Sequence, residues 1–201
     1  MRASLDGGSL GRWFEQLCRI RYAQIREMTV RNGTRLRNDD DRLPDCSAIY
    51  AFWWNGSGEL LRSEDCRRDL ILKGPGGKDV LLHIDDDWLG LHTDLPIPLY
   101  VGKTAAGLRN RVNQHLLLAR QRILPRGRGA AKAKAPTSTC QLRAGIEHFF
   151  PDSPDTREIV LQNVGLSYVE LDGEKHAANR FYLEDMAIGR MRPPLNVDIE
   201  R

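Results

Sequence analysis

Arg111 and His115 stand four residues apart in a helix-forming segment, so their side chains share one side of it, flanked by Leu108 and Leu118. A guanidinium is permanently charged and offers forked donors to phosphate oxygens, and an imidazole hydrogen bonds or carries a proton near neutrality. The pair suits a phosphate site; taken alone it is better read as a surface arginine with an incidental neighbour. Glu184 forms a second asymmetry. It lies at i+7 from Ala177, i+3 from Phe181 and i−4 from Ile188, so an acid sits on a mostly apolar edge. Such a carboxylate is costly unless it is paired or binds a cation. A divalent metal ion and a salt bridge with Arg180 both answer that requirement, and Asp185 is the competing acid.

Other chemistry-bearing patterns fail on inspection. Gly74-Pro75-Gly76-Gly77-Lys78 has the look of a phosphate loop, but Asp79 stands where a Ser or Thr is needed and a strand-like run follows instead of a helix. Asp85, Asp86 and Asp87 are consecutive and do not converge; capping the segment at Trp88 is the simpler role. Cys18, Cys46, Cys66 and Cys140 are scattered, with no C-x-x-C pair, and read as four reduced thiols of a cytoplasmic protein. His83, His92, His148 and His176 have no ligand spacing with one another.

The elements that must hold Arg111, His115 and Glu184 follow from periodicity. Residues 9–28 read as an amphipathic helix with Leu10, Trp13, Phe14, Leu17, Ile20 and Ile25 on one face, and 31–45 as a polar linker. Ser47–Trp54 is aromatic and β-branched, a strand, in which Trp53 and Trp54 pack the core. Residues 69–84 predict a hairpin around Gly74–Gly77, and Ile97–Gly102 a further strand. A helix is expected from Ala105 to about Arg122, with Leu108, Val112 and Ala119 as its core stripe and Arg109, Asn113 and Arg120 facing solvent. Residues 125–137 are low-complexity and basic. A helix from Ser138 or Thr139 to Phe149, a loop, a strand at 165–171 and a closing helix from Glu174 to about Arg190 complete the chain, with Pro193-Pro194 ending it. The pattern is α+β: a mainly antiparallel sheet flanked by helices, with an N-terminal helical arm and linker over 1–45 and the main domain over 46–201.

Charge is unevenly spread. Between Asp94 and Glu147 lie 52 residues without an acid, holding ten Lys or Arg, while the rest of the 201-residue chain carries 20 basic against 27 acidic residues. A weakly acidic body with one basic segment suggests contact with a polyanion; a solvated loop is the plainer alternative. No apolar run reaches the roughly 18–20 residues that span a bilayer. The N-terminus lacks the pattern of a secretory signal, so no membrane association is expected.

Taken in order, Ala48-Ile49-Tyr50, Tyr100-Val101-Gly102, Arg111-x-x-x-His115, Glu184 and Asn196 resemble the GIY-YIG nuclease superfamily. The elaboration of the small core is similar to that of its type II restriction enzymes, notably the small ones cutting CCGCGG. Ala48 replaces the first glycine and Val101 the isoleucine. The compact core joins the two strands by a short hairpin, whereas 49 residues separate Tyr50 from Tyr100 here, so about 59–95 is expected to be an insertion with its own hairpin.

The resemblance implies metal-dependent hydrolysis of double-stranded DNA with Mg²⁺, for which Mn²⁺ substitutes, and no organic cofactor. Glu184 would anchor the ion, Arg111 would stabilise the phosphorane, and Tyr50 would act as general base, a role tyrosine fills poorly unless the metal, Arg111 and Lys103 lower its pKa. His115 would take or orient the tyrosine proton, and Tyr100 and Asn196 would complete the hydrogen-bonded shell. Cutting a palindrome implies a homodimer on DNA. Arg109, Arg120, Arg122, Arg126, Arg128, Lys132 and Lys134, the last six within a basic loop at about 120–137, are the expected phosphate contacts. Two alternatives remain: a repair or structure-specific nuclease on the same core, and a DNA-binding module that has lost catalysis.

Overall fold

The computed structural model describes residues 7–19, 23–38, 43–73, 78–91, 96–105, 107–127 and 141–197. The turn at 74–77, Ile20, His92, Cys140, the start of the helix expected at 138 or 139, and Arg128, Lys132 and Lys134 lie outside them.

The fold is mixed α+β with two antiparallel sheets. Strand β1 (Ala23–Gln24) pairs with β6 (Val164–Glu170), β6 with β2 (Ala48–Trp54), and β2 with β5 (Ile97–Thr104), giving the order β1-β6-β2-β5. The two motif strands therefore pair directly, from Ala48 opposite Thr104 to Trp54 opposite Ile97, with a register shift after Phe52. What lies between them folds outward: α2 (Gly58–Arg62), the hairpin β3 (Asp69–Lys73) and β4 (Asp79–His83), and α3 (Asp86–Leu91). The expected hairpin forms, with Leu70 opposite Leu82. Asp85 caps α3 by accepting from the Trp88 amide at 2.7 Å.

Alternation along β2 divides the core in two. Ala48, Tyr50, Phe52 and Trp54 face one layer with α4 (Leu108–Leu116), α5 (Gln141–Phe149) and α6 (Thr156–Asn163). Ile49, Ala51 and Trp53 face the other, with α1 (Gly7–Arg19) and α7 (Ala177–Met191). Trp54 stacks on Phe150 at 5.9 Å. Trp53 donates to Ser167, which donates to the Leu17 carbonyl at 2.8 Å, tying α1 to the sheet.

Several elements differ from their sequence expectation, each for a packing reason. The first helix stops at Arg19 because Leu17 belongs to the α7 layer while Ile25 and Met28, in a 3-10 turn, bury in the opposite layer. One straight helix cannot serve both faces of a sheet. The helix after Gly107 ends at Leu116, and Leu117 turns left-handed at φ 45°. The expected loop before β6 is helix α6, capped by Asp155, whose carboxylate accepts from the Glu158 amide at 3.2 Å. The closing helix begins at Ala177, after a 3-10 turn over Glu174–His176.

Candidate functional site

Strand pairing sets Tyr50 opposite Gly102 and Phe52 opposite Tyr100. The glycine has a steric reason. A Cβ at 102 would stand 2.5 Å from the Tyr50 hydroxyl and 2.9 Å from the Tyr100 ring, so the missing side chain is the room that the first tyrosine occupies. Helix α4 crosses this face on Leu108, Val112 and Leu116, which are fully buried. That anchoring turns Arg111 and His115 toward the tyrosines. The Tyr50 hydroxyl lies 2.9 Å from His115 Nε2 and accepts from Arg111 Nε at 3.3 Å. Tyr100 completes the group, its ring centroid 4.7 Å from that of His115. Four sequence-nominated residues thus form one cluster.

Its electrostatics follow from burial. Desolvation pushes the Tyr50 phenol far above its ordinary pKa, the nearby Tyr100 adds to the rise, and Arg111 offsets only part of it. Tyr100 is pushed up to about 12, again chiefly by burial. Burial, then the Arg111 charge, lowers His115 to about 3, so the imidazole is neutral. For Arg111, burial disfavours the charge, but Tyr50 and Tyr100 outweigh it and raise its pKa. Of the expected lowering of the Tyr50 pKa by Arg111 and Lys103, the Arg111 contribution is present but outweighed. Burial dominates, and Lys103 is engaged elsewhere. Arg111 also donates to Gln114 at 3.2 Å, and among the described residues no carboxylate pairs with it.

Lys103 follows Val101 on the opposite face of β5, the face covered by Leu183 and Ala187 of α7. There its ammonium pairs with the Glu184 carboxylate. Arg180, the salt-bridge partner considered from sequence, instead donates to the carbonyls of Leu171 and Gly173. Glu184 is within electrostatic reach of the cluster, for its charge raises both tyrosine pKa values. The Lys103–Glu184 pair and the four-residue cluster thus flank the same edge strand from its two sides. Asn196 corrects the expected hydrogen-bonded shell. Its carbonyl accepts from the Val101 amide at 2.8 Å and its amide donates to the Val101 carbonyl at 2.7 Å. Both ends are committed to the free edge of β5, so Asn196 positions the strand that carries Tyr100 and Lys103. A cleft of about 520 Å³ opens beyond it, walled by Trp88, Leu91, Ile188, Arg192 and Val197, and none of the tyrosines lines it.

Among the described residues no three His, Cys, Asp or Glu side chains converge as a metal-ligand group. Among the described residues Glu184, paired with Lys103, offers one carboxylate, a donor set that fits only a cation retaining most of its water.

The basic segment divides. Arg120 and Arg126 are exposed. Arg109, expected to face solvent, donates to the carbonyls of Arg37 and Leu43. Arg122, whose side chain is 10% exposed, donates to the Phe150 and Ser153 carbonyls and lies 3.8 Å from Glu147. Arg143 is fully buried. It donates to the Glu147 carboxylate at 3.0 Å and to the carbonyls of Leu116, Arg120 and Gln121. Glu147 in turn accepts from the amides of Ile123 and Leu124 and from the Thr156 hydroxyl. Sequence reading passed over this staple, although an i, i+4 Arg–Glu pair inside the apolar run QLRAGIEHFF was its signal.

No protein-family profile, curated protein or solved structure matches the chain. Among the described residues no helix is long and apolar enough to cross a membrane.

Proposed function

We propose that the chain is a metal-dependent endonuclease of double-stranded DNA, of the GIY-YIG type, and in particular a site-specific type II restriction enzyme acting as a homodimer on DNA. The observation that carries this reading is the Arg111–Tyr50–His115 arrangement. A partly buried guanidinium, with no carboxylate paired to it among the described residues, touches a phenol that also contacts a neutral imidazole. An anionic oxygen answers the guanidinium, and the hydrogen-bonded phenol and imidazole give an attacking water a fixed partner.

In this reading Arg111 binds a non-bridging oxygen of the scissile phosphate and stabilises the charge that builds up on it. Because the Tyr50 phenol strongly resists ionisation and burial keeps His115 neutral, both stay uncharged: His115 Nε2 orients the phenol proton, and the Tyr50 oxygen holds and aims the attacking water. Tyr100 packs its ring against the same imidazole. Lys103 and Asn196 act as positioning residues, one on Glu184 and the other on the edge of β5. A divalent cation, Mg²⁺ or Mn²⁺, would be held by Glu184 with water as its other ligands and would supply neutralisation of phosphate and leaving-group charge.

The test is digestion of plasmid DNA with Mg²⁺, Mn²⁺ or chelator, using wild type, Arg111→Ala and Glu184→Gln. Discrete fragments from wild type are expected, with roughly 10²–10³-fold slower cutting by Arg111→Ala. Nicking confined to junctions or flaps would favour a structure-specific nuclease. The Lys103–Glu184 pair favours one further alternative, a DNA-binding module without catalysis, since a lysine already neutralises the acid. Duplex bound but left intact under every condition would establish that alternative.

A further inference from the structure

The Glu184 side chain, 11% exposed, holds the ammonium of Lys103, whose side chain is 32% exposed. Among the described residues no group of three acidic, histidine or cysteine side chains forms around Glu184. The neighbouring tyrosines resist ionisation and add no negative charge, while Arg111 on the other side of β5 adds a positive one. A carboxylate that held both the ammonium and a divalent ion would therefore gather three positive charges on one negative. Even at the dielectric constant of water, a single and a double charge about 5 Å apart repel enough to disfavour joint occupancy roughly tenfold.

We infer that the Lys103 ammonium and the divalent cation are alternative occupants of Glu184: the lysine holds the ion's place in the metal-free protein and leaves the carboxylate when the ion binds. The inference rests on the nuclease reading, which makes Glu184 the cation ligand, and adds a regulation of that site. The lysine answers the cost of a mostly buried carboxylate standing without metal. It also sets the metal affinity, because only the fraction of molecules with the ammonium withdrawn is competent to bind the ion. The Phe181 ring, its centroid 5.2 Å from Lys103 Nζ, leaves the displaced ammonium a partner.

The experiment titrates Mn²⁺ into the DNA-free protein and reads the unbound ion by electron paramagnetic resonance. Wild type is compared with Lys103→Met, Lys103→Arg and Glu184→Gln. Lys103→Met is expected to bind Mn²⁺ about tenfold more tightly than wild type, and Lys103→Arg, which keeps the charge, to stay near wild type. A second readout needs no variant: acetylation of Lys103 in wild type by acetic anhydride, followed by mass spectrometry. Mn²⁺ is expected to speed it by freeing the ammonium, with the exposed Lys175 as the unchanged control. Equal or weaker Mn²⁺ binding by a folded Lys103→Met would overturn the competition and leave Glu184 as a cation ligand. Lys103 labelling unmoved by the bound ion would overturn it where that variant does not fold. Glu184→Gln that binds Mn²⁺ as tightly as wild type, or no ion bound by any of the four proteins, would remove the cation ligand from the nuclease reading, and the competition with it.

Discussion

At Tyr50 three requirements meet on one oxygen: it accepts from Arg111, it contacts His115 Nε2, and it needs the space left by Gly102. Removing the oxygen with Tyr50→Phe is expected to slow DNA hydrolysis by about 10²–10⁴-fold with the fold intact, read as single-turnover rate beside circular dichroism. Gly102→Ala tests the space. The new methyl would displace the hydroxyl, and a shift of about 1 Å is expected to cost roughly 10²-fold in rate. Wild-type turnover by the alanine variant would show that the glycine serves the backbone alone. His115 gives the pH dependence of stability. Its folded pKa, lowered to about 3 by burial, lies below the ordinary 6.5, so between those values the unfolded chain binds the extra proton. Stability is then complete above about pH 7 and falls as the pH drops, by up to about 1.4 kcal/mol per pH unit for one histidine. His148, also lowered by burial, adds in the same direction. Urea denaturation from pH 8 to pH 4 checks it: His115→Gln is expected to flatten the slope, and an unchanged slope would exclude His115 as its source.

The elements around the site are held by polar contacts that a hydrophobic pattern does not announce. Helix α4 ends one residue before a left-handed turn, and the chain beyond is gripped by Arg143 and Glu147 from α5. Truncating one partner strands a buried charge, so Glu147→Ala is expected to destabilise by about 3–5 kcal/mol, whereas replacing both with Arg143→Met/Glu147→Leu should cost much less. Equal losses in urea melts of the two would refute a charge-based staple. At the other side of the sheet, Asn196→Ala frees both backbone groups of Val101 on the β5 edge, at a cost of about 1–3 kcal/mol. Strands were the most legible elements. Aromatic and β-branched alternation placed β2, β5 and β6 within a residue or two, and the i, i+4 spacing of Arg111 and His115 placed both on one side of α4. The α6 helix was missed although Asp155 and Glu158 have the spacing of an N-terminal cap, because polar neighbours hid its short apolar stripe.

Across the whole molecule, charge read along the chain overstated the cationic surface. Arg109, Arg122 and Arg143 spend their donors on carbonyls or Glu147, leaving Arg120 and Arg126 as exposed cations of the segment among the described residues. DNA affinity measured by anisotropy over a salt series is expected to lose about one unit of slope for Arg120→Ala and likewise for Arg126→Ala. Arg122→Ala is expected instead to lower the melting temperature; an altered salt slope with unchanged stability would reverse that assignment. The amino-acid order by itself determined the α+β class, the strand alternation and the candidate residues, because these rest on periods of two and about 3.6 residues within a few neighbours. Which tyrosine oxygen meets which imidazole across 65 residues, which cation neutralises Glu184, and which arginines are buried were decided only by tertiary packing. Those pairings depend on where distant segments cross and how much water the crossing excludes, and no local spacing encodes either.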